Sequence, residues 1–342
     1  MKAIFITGES GTIPMAIQRI VVDKHLTAIV NSQLSDNFDY DKYKTHQSFK
    51  IRKPEIDFLN RELLFKIFKE KFDSYNEITH IIHSGAYVGT DFCAANPLDA
   101  IRTNIEGTKN IVDICNTFNI KLIYFSTTAI FDPKDYSEDK PITENTKINP
   151  QTLYGITKYA GEMIVEKECK ALFTIVRPVF GFSDYPDDLH SALTKIIYNI
   201  IYNLKNNTNI KLDVLLNRNI NKSYTRVENI ADCVLNIIRN DYFLNVFNIG
   251  INYKESVDWY YLFEVIKDEI LVFQEHFENL QNLENIYSNI VFYHKKDYLH
   301  YHNIDDAKLF KYGLSFKNDL RQGIRKTIYS CIKNLNIKPY WI

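Results

Sequence analysis

Tyr154 and Lys158 stand four positions apart in the run Tyr154-Gly155-Ile156-Thr157-Lys158. On a helix that spacing puts the phenol and the ammonium on one face, because side chains at i and i+4 are neighbours. A cation beside a phenol favours phenolate and draws its pKa down from about 10, toward the range useful for proton transfer. Upstream, Phe125-Ser126-Thr127-Thr128-Ala129 supplies hydroxyls at the end of a strand-like run, where parallel-sheet proteins bind their ligands. Such a constellation suits hydride transfer between an alcohol carbon and a nicotinamide: the cofactor handles only the hydride, and the protein must move the proton. Taken alone, a Tyr-x-x-x-Lys pair is common by chance and is usually a solvated helix face.

A second chemical feature comes earlier in the chain. Gly8-Glu9-Ser10-Gly11-Thr12-Ile13-Pro14 follows the first strand-like run and opens the first helical one. Gly8 and Gly11 let the turn close, and the backbone N–H groups around Ser10, Thr12 and Ile13 can then meet a pyrophosphate at the helix N-terminus. Pro14 replaces a third glycine, which a first helical turn tolerates because that N–H lacks an intrahelical partner anyway. A plain strand–turn–helix corner is the alternative reading. Where a dinucleotide site offers an acid to the adenosine ribose, about 20 residues on, the second strand ends in Val30-Asn31-Ser32. Asn31 can hydrogen-bond a ribose hydroxyl without repelling a 2′-phosphate, whereas Glu9, inside the loop, would repel one. NAD is the expected cofactor on that argument, with NADP left open; a solvent-exposed Glu9 fits the same residues.

These groups need a frame to hold them. Ala3–Thr7, Thr27–Val30, His80–His83, Leu122–Ser126 and Phe173–Val176 read as short apolar strands. Helical patterns alternate with them at Met15–Val22, Arg61–Phe72, Ala100–Phe118 and Leu153–Cys169. Buried strands alternating with helices predict βαβ units, hence an α/β fold with a Rossmann-type, doubly wound parallel sheet. After Phe182 the rhythm changes, with helices expected at Ser191–Leu204, Val227–Arg239 and Trp259–Glu278 and strands at Ile210–Leu216 and Val246–Ile249. The predicted division is a dinucleotide-binding domain over 1–181, joined again by 225–251, with a smaller interleaved substrate-binding region in 182–224 and 252–342.

Composition narrows the function classes. The 342 residues carry 41 basic and 42 acidic side chains, so no global field attracts nucleic acid or an anionic membrane. No segment approaches a membrane-spanning run, and the apolar start Met1–Gly8 is too short for a signal peptide. Five widely spaced cysteines form neither a disulfide framework nor a zinc pattern, so a reducing cytoplasm is expected. His294, His300 and His302 cluster, yet no cysteine or carboxylate partner has matching spacing, and no metal is expected.

Beyond these readings the sequence resembles the extended short-chain dehydrogenase/reductase family, in its nucleotide-sugar epimerase/dehydratase branch. The resemblance covers most of the chain and is carried by Pro141-Ile142-Thr143-Glu144 through Asn149-Pro150, and by Leu153-Tyr154-Gly155-Ile156-Thr157-Lys158-Tyr159-Ala160-Gly161-Glu162. It implies that Tyr154 is the acid/base, that Lys158 holds the nicotinamide ribose and tunes Tyr154, and that Thr127 hydrogen-bonds the reacting sugar oxygen. Asp57-Phe58 resembles the pair that holds adenine. His83-Ser84-Gly85-Ala86 and Asn104 with Gly107-Thr108 resemble further cofactor-side segments, and Asn248-Ile249-Gly250 a late strand. The resemblance also implies a homodimer built on the helices Ala100–Phe118 and Leu153–Cys169, and a place in surface-polysaccharide sugar biosynthesis.

Three departures from the family pattern carry information. Dehydratases place Asp-Glu directly after the catalytic Thr, whereas this chain has Thr128 and Ala129, so elimination of water lacks its usual acid and base; Thr128 is left as a substrate-contacting hydroxyl. Lys222 stands where an Arg often meets the sugar nucleotide's diphosphate, and Arg226 offers a second cation nearby. Arg177-Pro178-Val179-Phe180-Gly181 is shorter than its counterpart and lacks the nucleotide-contacting Asn. The expected function is an NAD(P)-dependent nucleotide-sugar epimerase acting through a transient keto-sugar, with C4 the expected carbon. A nucleotide-4-keto-sugar reductase consuming NAD(P)H is the alternative, and a catalytically silent dinucleotide-binding regulator is the reading from another class.

Overall fold

The computed structural model describes residues 3–8, 11–23, 28–30, 57–75, 78–135, 140–179, 181–185, 191–208, 212–214, 221–278, 280, 283–288, 290–292, 304–317 and 319–334. Glu9, Ser10, Asn31 and the histidines 294, 300 and 302 lie outside them. In the first half β1 (Ala3–Thr7), α1 (Thr12–Asp23), β2 (Ala28–Val30), α2 (Arg61–Tyr75) and β3 (Ile78–His83) lead into α3 (Thr90–Ala95), α4 (Pro97–Ile101) and α5 (Gly107–Phe118). There follow β4 (Lys121–Phe125), α6 (Leu153–Glu168) and β5 (Phe173–Pro178). The later elements are β6 (Gly181–Phe182), α7 (Ala192–Asn206), β7 (Leu212–Val214), β8 (Thr225–Arg226), α8 (Val227–Arg239) and β9 (Asn245–Ile249). The chain then forms α9 (Trp259–Leu271), α10 (Leu283–Ser288), β10 (Ile290–Phe292), α11 (Ala307–Lys311) and α12 (Leu320–Lys333).

The main sheet has the order β2-β1-β3-β4-β5-β9, every pair parallel. Alternation along each strand sends successive side chains to opposite faces. Ile4, Ile6, Ile82, Ile123 and Val176 meet α1 and α8 on one side, while Phe5, Ile81, Leu122, Tyr124 and Ile175 meet α2, α5 and α6 on the other. Burial on both faces explains why these strands read as continuous apolar runs. A second core unites α7, α9, α10 and α12 around Ile197, Ile201, Leu262, Ile266 and Ile328. β9 pairs with β5 along Thr174↔Asn245 to Pro178↔Ile249, so the chain returns to the main sheet after visiting that second core.

Two predicted helices are interrupted. The run expected at Ala100–Phe118 opens earlier, at Pro97, and widens into a π-helical turn at Arg102–Glu106 before α5. Such a wide turn accommodates one extra residue and commonly marks a functional position; here Asn104 occupies it and points into the protein. The helix expected over Trp259–Glu278 stops at Leu271 and gives way to a short tight turn at Gln274–His276. Apolar periodicity alone does not reveal such ends when the following loop is also apolar.

Candidate active site

The C-terminal ends of β1, β3 and β4 converge on the site. Gly8 has φ +69°, the left-handed region, and a Cβ there would lie 2.6 Å from the Gly85 Cα. The loops leaving β1 and β3 therefore touch backbone to backbone, which only glycines allow. Gly11 N–H donates to the Gly8 carbonyl at 3.0 Å, and α1 begins at Thr12 with Ile13 behind it, turning the positive end of the helix toward the loop. This cradle fits a pyrophosphate.

Hydrogen bonds fix the two loops to each other. The Ser84 hydroxyl donates to the Thr7 carbonyl at 2.5 Å, and Gly85 N–H donates to Thr7 Oγ1 at 3.0 Å. Thr7 Oγ1 also meets His83 Nδ1 at 2.8 Å, and His83 Nε2 meets Thr108 Oγ1 at 3.2 Å. Thr108 donates its proton to the Asn104 carbonyl. His83 therefore donates from Nε2 and accepts from Thr7 at Nδ1. Burial first, then the Lys158 charge, lowers its pKa to about 3, so it stays neutral.

Asn104 is almost wholly buried and fully engaged. Its Oδ1 accepts Tyr87 N–H at 2.7 Å, and its Nδ2 donates to the Tyr87 carbonyl (3.0 Å) and to Thr157 Oγ1 (2.9 Å). It braces the loop containing Ala86 against α6. Phe58 likewise sits in the core, its ring filling the spaces left by Gly85 and Gly107, while Asp57 at the surface accepts Leu59 N–H.

α6 is launched by Thr152, whose hydroxyl accepts Gly155 N–H at 3.1 Å. Its first turns carry Tyr154 and Lys158 toward the end of β4, where the Thr127 hydroxyl accepts Ala129 N–H and lies near the Tyr154 phenol. The structure thus brings Thr127, Tyr154 and Lys158 together, with Thr128 buried beside them. The expected lowering of the Tyr154 pKa does not appear. Burial pushes it up to about 12, and the nearby Thr127 hydroxyl opposes that rise. The Lys158 Nζ lies 4.5 Å from the centroid of the Tyr124 ring. Lys158 is only 2% exposed, and burial lowers its pKa to about 7 against the opposing pull of Glu162.

Sequence reasoning assigned no role to the layer beneath. Glu162, one turn beyond Lys158, is bound by Arg177 through two bonds of 2.9 and 2.6 Å, with both side chains buried. The spacing from Lys158 placed Glu162 on the same helix stripe, but its partner on β5 is visible only in three dimensions.

The family profile described as the RmlD substrate binding domain matches residues 1–285. The chain belongs to that family. A protein of Methanocaldococcus jannaschii provisionally named a UDP-glucose 4-epimerase is 26% identical over 250 residues, spanning 71% of this chain and 78% of that one. The UDP-glucose 4-epimerase of Thermotoga maritima, solved with UDP-glucose, superposes with a TM-score of 0.75 at 18% identity, covering 97% of this chain and 99% of that one. The dTDP-glucose 4,6-dehydratase of Bacillus anthracis, solved with NAD, gives 0.75 at 16% identity and 98% coverage of both chains. Equal scores for an epimerase and a dehydratase show that this fold does not select the reaction.

Within this RmlD-family chain the two cations expected at a diphosphate differ. Arg226 is bound by the carboxylates of Asp184 and Asp319 and lies 3.9 Å from that of Glu228, so its guanidinium is committed to holding α12 and the β6 end together. Lys222 is half-buried, its backbone paired with Val257, and burial lowers its pKa to about 8. Of the two, Lys222 has the more available charge. No group of three or more His, Cys, Asp or Glu side chains is placed to hold a metal among the described residues.

Proposed function

We propose that the chain is an NAD(P)-dependent nucleotide-sugar epimerase that works through a transient keto-sugar, with C4 as the reacting carbon. One observation carries the reading: Thr127, Tyr154 and Lys158 gather at the end of β4, with the Thr127 side chain close enough to the Tyr154 phenol to favour its ionised form and the Lys158 ammonium over the Tyr124 ring of that strand. A nicotinamide dinucleotide seated on the Gly8–Gly11 loop supplies a hydride acceptor and donor. The chain does the rest. Tyr154 Oη takes the proton of the sugar hydroxyl and later returns it, Thr127 Oγ1 holds the same sugar oxygen, and the Lys158 ammonium steadies the phenolate and the nicotinamide ribose. Asp57, Ser84, Gly85 and Ala86 line the cofactor side in this reading, and Asn104 keeps the loop in place. Lys222 meets the diphosphate.

Thr128 and Ala129 stand where a dehydratase needs its acid and base, which supports an outcome without loss of water. The proposal includes a cytoplasmic homodimer. No helix among the described residues is long and apolar enough to cross a membrane, and the five cysteines are free.

The test is mass spectrometry of the denatured protein for nicotinamide carried through purification, then assay against a panel of nucleotide sugars with and without added NAD(P)H. Retained cofactor and turnover without added NADH are expected. Stoichiometric consumption of NAD(P)H would instead identify a keto-sugar reductase, which runs half of the same cycle. Tyr154→Phe should lower turnover by about two to four orders of magnitude, the usual worth of a positioned acid/base. Unchanged turnover in that variant would restore the silent-regulator reading.

A further inference from the structure

The geometry points to Tyr124 as a positioning residue for Lys158, its ring face clamping the ammonium and its hydroxyl tethering the backbone that carries it. This inference rests on the reading of Tyr154 and Lys158 as the proton-transfer pair. Tyr124 lies on β4, fully buried beneath α6. The Lys158 Nζ sits over its ring at 4.5 Å from the centroid, well inside the roughly 6 Å at which the negative ring face attracts a cation. From the same ring, Oη donates to the Lys158 carbonyl at 3.1 Å. Both ends of Lys158, main chain and ammonium, are therefore held by one side chain. Gly161 makes this possible, since any Cβ there would run into the Tyr124 hydroxyl.

The surroundings leave the ring with a real electrostatic task. The titratable groups around Lys158 are His83 on β3, Tyr124 on β4, and Tyr154 and Glu162 on its own helix, with Cys93 on α3 next to Tyr154. His83 is neutral, and its ring is tilted against Tyr124 at 5.9 Å. Glu162 is the one carboxylate among these groups, and Arg177 binds both its oxygens. An ammonium removed from water needs compensation; Glu162 gives part of it while also serving Arg177, and the π face of Tyr124 adds to it. A ring that merely filled the core would need no electron-rich face.

The test replaces Tyr124 in the full chain by phenylalanine, 3,5-difluorophenylalanine and 3,4,5-trifluorophenylalanine, which nearly preserve shape while draining charge from the ring face. Competitive acetylation with acetic anhydride across a pH series, read by mass spectrometry on the peptide containing Lys158, reports the lysine pKa without cofactor or turnover. Tyr124→Phe should leave that pKa near its wild-type value, and the fluorinated residues should lower it stepwise, by about one unit in all. Affinity for NAD, measured by calorimetric titration, should fall in parallel by about tenfold. A flat series overturns the clamp, as does a full shift on Tyr124→Phe alone, which would assign the effect to the hydroxyl. Failure of the wild-type protein to bind NAD would instead count against the proposed function, while the acetylation series would still judge the clamp.

Discussion

Lys158 illustrates what a buried ammonium costs its own protein. Burial lowers its folded-state pKa to about 7, far below the value of about 10.4 for an unfolded chain. Between those values the unfolded chain binds more protons than the folded one, so stability rises with pH across that window and is lowest below pH 7. Lys158→Met should therefore unfold at a higher temperature than the wild type at pH 6–7, with the difference closing toward pH 10, while activity is lost. Thermal melts at stepped pH check this; a difference that grows with pH would contradict it. The grouping of Tyr154, Lys158 and Thr127 was legible in the sequence because each lies in a local run whose order carries meaning. The direction of the Tyr154 shift was not, because it is set first by burial, which is not a property of neighbouring letters.

At the scale of elements, α6 lies close on β4 because Gly155 and Gly161 carry no side chain at the points of contact. A Cβ at 155 would meet the Ala129 carbonyl, and one at 161 the Tyr124 hydroxyl. Gly161→Ala should cost on the order of 1–3 kcal/mol, as overpacking of a tight core does. Adding Tyr124→Phe should recover part of that loss, because it removes the nearest atom; urea denaturation of the single and double variants measures the coupling. The strands and most helices were readable from apolar periodicity. The π-helical turn at Arg102–Glu106 was not, since its signal is a hydrogen-bond requirement met at a distance: Asn104 must reach both Tyr87 and Thr157. The acids that engage Arg226 were hidden in a related way, because they arrive from residues 184 and 319.

At the scale of the molecule, an outward apolar face runs over Leu98 and Ile101 of α4 and over Ile156 and Met163 of α6. α5 contributes charge instead, through Lys109 paired with Asp113 and Glu168. If this face joins two copies, light scattering should give twice the chain mass, and Ile156→Lys with Met163→Lys should halve it without unfolding the protein. The alternation that predicted the sheet did not show how the later chain completes it. β9 supplies the last partner of β5, and its residues follow theirs by some seventy positions. Until that late segment arrives, for instance on a growing chain at the ribosome, Phe173–Pro178 presents an unpaired row of backbone donors and acceptors flanked by apolar side chains. Such an edge is a template for pairing with other chains. The return of the chain to its first sheet is thus also a protection against aggregation, and an excised nucleotide-binding half would lose it.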